Sequence, residues 1–358
     1  MAVENPLLDL HRAAGAALGV YFGCTLPARF TETEAEYRAA RETVVLADTN
    51  FHAIFRLNGP DRARYLNAIL TSNVRDLAPG QGTIGLLLNP QGHILAEIET
   101  LALEDSLLAI SHAGDREATA ATLDKFIIMD DVTLTDETPS TGSVALAGPR
   151  AAECLQNLSV AGVSSLPDRG HAEARIGSVP CRIVWRVRPD YAVAELFAAR
   201  EHLPLLWKTL LGGVSQAGGL PIGFEAINSL RLEAGIPWFG YDFDDRVIPH
   251  EAGLENSHIS YAKGCYTGQE IVERVRSRGH INRRLVGLRF EGMNAPESGT
   301  KLLAGGADVG HVTSAAHSFA LGKPIGMGYV RSEHTALGRQ LQCLAGIAEV
   351  IALPLAVR

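Results

Sequence analysis

No C-x-x-C pair occurs in this sequence; its five cysteines, Cys24, Cys154, Cys181, Cys265 and Cys343, are scattered over 358 residues. That spacing excludes a disulfide framework or a closed zinc site and leaves reduced thiols as the default. No basic stretch precedes an apolar run in MAVENPLLDL, so no secretory or transit leader is expected. No uncharged apolar run approaches the roughly 18 residues of a membrane span, and the expected setting is the cytoplasm, away from any membrane. Positive charge is short too: Lys and Arg number 32 against 40 Asp and Glu, a net charge of -8. Such a surface repels a phosphate backbone, which excludes general nucleic-acid binding.

A hydrophobic share of 46% is what an ordinary globular chain carries, and the length exceeds what one core usually supports, so two or three cores are expected. The chain also resembles itself. LNGPDRARYLNAIL at 57–70 and LAGPRAAECLQNLS at 146–159 share a Gly-Pro, a helical pattern and Leu at matching places. An apolar strand precedes each, and the proline suits a first helical turn because it has no N–H to leave unpaired. After the first helix, TIGLLL and HILAEIETLAL flank Asn89-Pro90-Gln91-Gly92, a hairpin turn. After the second, CRIVWRV and YAVAELF flank Arg188-Pro189-Asp190, and the two hairpins are matched to each other. The helical segments DREATAATLDKF and REHLPLLWKTLL close the copies. Two related α+β units are expected, over approximately 49–140 and 141–225. From about Leu285, short apolar runs between Gly-rich turns (LVGLRF, KLLAGG, DVGHVTS, PIGMGYV, QLQCLAG) predict a small antiparallel β-barrel. Units meeting along shared seams commonly enclose a ligand pocket, so a central pocket is expected.

The chemistry is expected in the polar segment between duplication and barrel. Cys265 lies in Lys263-Gly264-Cys265-Tyr266-Thr267-Gly268-Gln269-Glu270, where flanking glycines permit tight turns around the sulfur. Arg274, Arg276 and Arg278 alternate with Val275 and Ser277, so an extended strand there sets all three guanidinium groups on one face. Together with Lys263 they form a positive patch that favours thiolate and can hold an anionic ligand tail. On spacing alone a solvated strand face with a packing cysteine stays equally open. Cys154, Cys181 and Cys343 sit among apolar residues and read as small hydrophobes. His250-Glu251 begins a zinc-binding H-E-x-x-H pattern, but Leu254 takes the place of the second histidine; no metal site is expected.

KGCYTGQE resembles the signature of the YgfZ family of folate-binding proteins, whose mitochondrial relatives take part in late iron–sulfur cluster assembly. Nearly the whole chain resembles the wider T-protein (aminomethyltransferase) superfamily, through NGPDRARYLNAILTSNV, NSLRLEAGIPWFGYD and GHVTSAAHSFALGKPIGMGYV. The resemblance implies an α+β cloverleaf of two related subdomains around a central folate pocket, a folate-binding region over 1–280, and an antiparallel β-barrel over 281–358. It also implies tetrahydrofolate as the ligand. By motif, Glu233 grips the pterin, where a carboxylate can accept two N–H bonds from a 2-amino-pyrimidinone edge. Arg231, Arg274, Arg276, Tyr266 and Gln269 are the further folate-side residues, and Cys265 with Lys263 forms the reactive pair.

T-proteins carry a catalytic Asp in the first hairpin. The matching stretch here is Gly92-His93-Ile94-Leu95-Ala96-Glu97, which puts Ala96 at that position, or Glu97 if the register slips, and His112 stands where T-proteins have an Asn. The expected function is therefore a tetrahydrofolate-binding accessory protein for iron–sulfur cluster assembly or repair, with assembly or client proteins as partners. The alternative is a folate-dependent aminomethyltransferase or demethylase using Glu97 as base.

Overall fold

The structure is a computed structural model that describes residues 4–188, 191–344 and 346–355; Pro189 and Asp190 of the second expected turn lie outside the described residues. The chain divides by its contacts into two units. One comprises 1–85 with 97–226, the other 86–96 with 227–358.

The first unit opens with α1 (Leu8–Ala13), the hairpin β1 (Ala17–Tyr21) and β2 (Cys24–Arg29), α2 (Thr33–Glu42) and β3 (Val45–Asp48). The first copy follows as β4 (His52–Asn58), α3 (Arg62–Ile69), β5 (Gly82–Leu88), β6 (Ile94–Ala102), β7 (Leu107–His112), α4 (Arg116–Lys125) and β8 (Thr133–Asp136). The second is β9 (Thr141–Gly148), α5 (Ala151–Asn157), β10 (His171–Ile176), β11 (Val179–Val187), β12 (Ala192–Ala199), α6 (Leu203–Gln216) and β13 (Leu220–Ile222).

The first sheet has the order β5-β6-β7-β4-β8 and the second β10-β11-β12-β9-β3-β13. Apart from the inserted β3 the two orders correspond strand for strand, so the duplication is structural. They also correct the sequence alignment of the hairpins: the counterpart of β5-β6 is β10-β11, whereas CRIVWRV and YAVAELF correspond to β6 and β7. The strand passed over, HAEARI, has exposed or half-exposed residues between its buried ends, so an edge strand of this kind shows no apolar run. Helix α6 follows a plainer code. Pro204 stands in its first turn, and Leu203, Leu206, Trp207, Leu210 and Val214 make one buried stripe at helical spacing. That stripe packs in a core with Leu146, Trp185 and Leu196 of the second sheet.

Helix α7 (Phe224–Glu233) begins in the first unit and from Ile227 belongs to the second, where a long irregular segment follows, then α8 (Gln269–Arg278) and the barrel strands β14 (Arg283–Phe290), β15 (Lys301–Ala304), β16 (Ala307–Ser318), β17 (Lys323–Arg331), β18 (Gln340–Cys343) and β19 (Gly346–Ile351). The barrel closes in the order β14-β17-β16-β15-β18-β19, around Leu288, Phe290, Leu302, Val312, Val330 and Val350. Five of these strands match the expected runs; β19, GIAEVI, was not singled out. Among the described residues no helix is long and apolar enough to cross a membrane.

The segment 274–278 corrects another expectation: it is helical, not extended. Gly268 at φ 81 and Gly279 at φ 65 bound α8, and Val272 supplies its buried face. Helical rotation by about 100° per residue sets Arg274 and Arg278 on one side and Arg276 on the other. The three guanidinium groups therefore do not share a face. Of the two glycines flanking the cysteine, only Gly268 is constrained. A Cβ there would meet the Asn89 carbonyl oxygen at 2.7 Å, while Gly264 has nothing within 4 Å of that position.

Gly268→Ala should lower the unfolding free energy by about 1–3 kcal/mol, since left-handed backbone and a backbone clash add. Gly264→Ala should stay within about 0.5 kcal/mol of the parent. Urea melts of both variants decide this, and equal melts would refute the capping role.

Candidate functional site

Alternation along β6 sorts its side chains. Ala96 and Ile98 are buried on one face, and Glu97, Glu99 and Leu101 point to the other. This second face meets the second sheet, where Ile54, Leu101, Leu108 and Ile110 pack with Val184 and Phe197. Beyond that apolar contact the same faces turn polar. Arg186 of β11 reaches Glu99 through two N–H donors: Nε donates to Oε1 at 3.1 Å and Nη2 to Oε2. Its Nη1 lies 2.6 Å from Oε2 of Glu195 but out of line for a hydrogen bond, a Coulombic contact. Glu195 of β12 also takes His52 Nε2 at 2.8 Å and the Ser143 hydroxyl at 2.9 Å.

Burial alone would raise the Glu195 carboxyl, but the charges of His52 and Arg186, with hydrogen bonds from His52 and Thr49, hold it below the ordinary carboxylate range. Burial would lower the Arg186 guanidinium, and the charges of Glu99 and Glu195 outweigh that and push it up.

At one edge of this cluster Glu97 faces His112 of β7, with Nε2 3.5 Å from Oε2. The imidazole belongs to a ladder of stacked rings, with Phe51 at 6.0 Å and His52 at 6.4 Å as well as Phe22. Phe22 stacks on His112 at 4.6 Å and 9° between planes, and on Phe51 at 4.6 Å and 22°; Phe224 meets Phe22 and Phe51 edge-on. Phe22 holds that place from the β1–β2 turn at φ 51, a conformation a bulky residue adopts only where its surroundings impose it. A carboxylate beside an imidazole, against flat apolar rings, can accept a proton and pass it on.

The residues singled out in sequence lie mostly in the second unit. Glu233 ends α7 and is buried. Its Oε1 accepts the Ser318 hydroxyl at 2.6 Å and the Ala320 N–H at 3.4 Å. Arg231 pairs with Asp242, donates to Asn228 Oδ1 at 2.8 Å and lies 4.5 Å above the Trp238 ring. Asp242 also accepts from Thr313 and the Trp238 N–H, so this pair ties the loop after α7 to the barrel. Lys263 is buried with Nζ 5.2 Å from the Tyr266 ring, and the Tyr266 hydroxyl is buried without a hydrogen-bond partner among the described residues. Cys265 is exposed. Gln269 begins α8. Arg276 covers the Tyr261 ring at 4.0 Å and stands 3.6 Å from Glu273. Of the other thiols, Cys154 and Cys181 are buried, and burial pushes both up, Cys181 to about 11; Cys343 is half-buried against the barrel core.

Sequence reasoning did not single out Glu99, Arg186, Glu195, His52, Phe22 or Phe51. The signal present was a charge inside an otherwise apolar strand, as in ILAEIETLA, VPCRIVWRV and AVAELFAA.

Comparison with known proteins agrees with this architecture. Residues 7–258 match the GCVT N-terminal domain model and 283–352 the glycine cleavage T-protein C-terminal barrel domain. The chain belongs to this glycine cleavage T-protein family. It is 30% identical to an aminomethyltransferase of Streptomyces coelicolor, over 92% of this chain and 90% of that protein. It is also 30% identical to one of Rubrobacter xylanophilus, over 92% and 87%. The crystal structure of glycine cleavage system aminomethyltransferase T from Bartonella henselae superposes with a TM-score of 0.88 at 24% identity, covering 99% of this chain and 98% of that one; this likeness shows the fold.

Arg186→Met leaves Glu99 and Glu195 buried without their shared counter-charge, and should cost about 3–5 kcal/mol of stability at neutral pH. Because the folded Glu195 carboxyl is depressed, its contribution holds above the ordinary carboxylate range and fades only as pH falls toward the folded value. Urea melts across acidic pH should therefore show the variant failing at a higher pH than the parent. Coincident pH profiles would contradict the assignment.

Proposed function

We propose that this protein binds tetrahydrofolate and transfers a one-carbon unit to it from an aminomethyl or N-methyl donor, with Glu97 as the proton acceptor. The observation that carries the reading is the register of β6, which turns Glu97, and not Ala96, toward His112 and the ring ladder. The aminomethyltransferase names of the similar proteins support the same class. This replaces the accessory role as the leading reading.

The residues present fit a reduced pterin in kind: flat rings of Phe22 and Phe51 suit a planar heterocycle, and carboxylates suit its N–H edge. Bound tetrahydrofolate would supply the amine nitrogen that accepts the carbon. As the carbon's bond to the donor heteroatom breaks, its electron pair staying on that heteroatom, Glu97 would take the proton the acceptor nitrogen loses and pass it to the departing donor, and His112 would hold the carboxylate in place. The buried Arg186 cluster would keep both strands in register. The part given to Glu233, gripping the pterin, is a separate proposal, because its carboxylate also holds Ser318.

A second reading rests on the exposure of Cys265 within KGCYTGQE. On it the protein is a folate-binding accessory factor of the YgfZ type in iron–sulfur cluster assembly, Cys265 reacting as thiolate with Lys263 nearby. A lone thiolate is an incomplete cluster ligand set, so that role requires ligands from a partner protein.

One set of assays separates the readings. Folate-dependent turnover of an aminomethylated carrier should fall by roughly a hundredfold or more in Glu97→Gln and survive in Cys265→Ser. Calorimetry should show Glu233→Ala weakening tetrahydrofolate by about 1.5–3 kcal/mol. Absent turnover in the parent, with iron–sulfur enzyme activity in cells lost in Cys265→Ser, would reverse the order of the two readings.

A further inference from the structure

The barrel carries a pocket of about 350 Å3 walled by Arg283, Asp308, Val309, His311, Tyr329 and Arg331. Arg283 and Arg331 are direct partners across the antiparallel pair β14–β17. Like charges opposed in this way are destabilising unless something negative lies between them. Arg283 is partly engaged: Nε is 3.3 Å from Glu251 Oε2, Nη2 donates to the Arg246 carbonyl at 2.8 Å, and the guanidinium lies 5.0 Å above the Tyr329 ring. Arg331 is exposed, and the electrostatic neighbour of its guanidinium is Asp308 of the same wall, whose carboxyl it helps to lower.

Tyr329 supplies a second and independent observation. It is 3% exposed, and its hydroxyl is buried with no hydrogen-bond partner among the described residues. Burial pushes the phenol up, so the oxygen keeps its proton and stands as a donor lacking an acceptor. Leaving such a donor unsatisfied is costly. His311 is the cross-strand partner of Tyr329, with ring centroids 5.9 Å apart. Burial, then the charges of Arg283 and Arg246, push the imidazole down and favour its neutral form. Asp308 has its charge matched by Lys301 at 3.0 Å. The wall thus sets two guanidinium groups against one carboxylate that Lys301 already engages, beside an unmet donor.

We propose that this pocket binds a small organic anion, its carboxylate or phosphate head held between Arg283 and Arg331 and hydrogen-bonded by Tyr329. A bare oxyanion fills only part of a space of about 350 Å3, which leaves room for an organic body. The residues are not those of the folate reading, and because L-glutamate is also the tail of folate, loss of binding in Arg331→Ala is what assigns it to this pocket, so this site and the folate reading fail independently.

Calorimetric titration of the full chain with inorganic phosphate, and separately with L-glutamate, at constant ionic strength in chloride, tests it. Saturable one-to-one binding of phosphate alone identifies a phosphate head, and of glutamate alone a carboxylate head; binding of both shows a site open to either. In each case Arg331→Ala should weaken binding roughly tenfold or more, and Tyr329→Phe should weaken it while keeping the ring. Melting temperatures of the free variants check that both fold, and Arg331→Gln serves if the alanine variant does not. No saturable binding of either titrant, or variants that bind as tightly as the parent, would overturn the proposal.

Discussion

A single guanidinium, that of Arg186, stands between two carboxylates where the duplicated sheets meet, and the polar half of that interface depends on it. Without Arg186, Glu99 would keep only Arg169, 3.4 Å away, and Glu195 only His52, and the two carboxylates would repel in a space shielded from water. With it, Glu195 can stay ionised and hold His52 and Ser143, while Glu99 fixes β6. Because a strand has a period of two, fixing Glu99 on the inter-sheet face fixes Glu97 on that face as well. The carboxylate proposed as the proton acceptor is thus aimed by its neighbour on the same face.

The second unit uses the same device for a different end. Arg231 and Asp242 are a buried pair, and Asp242 spends its remaining acceptor capacity on Thr313 and the Trp238 N–H. Glu233 fastens the end of α7 to Ser318 of the barrel. A motif that reads as a ligand-binding signature therefore has a visible mechanical role, which the folate role proposed for Glu233 must coexist with. The Cys265 motif is built around Gly268, whose left-handed backbone starts α8 close against Asn89 of the hairpin tip.

What could be read in the sequence was what has a period. The Gly-Pro repeats, the β5–β6 turn and five barrel strands follow from local pattern, because backbone conformation there is decided by nearest neighbours and by one buried face. Arg274, Arg276 and Arg278 misled because alternation over five residues fits a strand, whereas the segment packs through Val272 as a helix that left-handed Gly268 and Gly279 bound at its two ends. The inter-sheet cluster was hidden for another reason. Its members come from β4, β6, β7, β11 and β12, so nothing short of the two sheets meeting brings Glu97 to His112 or Arg186 to Glu195. The Ala96 or Glu97 ambiguity is of this kind: one residue of register decides which face a side chain serves, and the sequence alone leaves both open.

If Glu97 is the acid–base residue of a folate-dependent transferase, a crystal structure with tetrahydrofolate bound should place the reduced pterin within hydrogen-bonding reach of the Glu97 carboxylate and against the Phe22 and His112 rings. A pterin bound away from Glu97 would contradict it, the more so if the Cys265 sulfur lay against the folate instead.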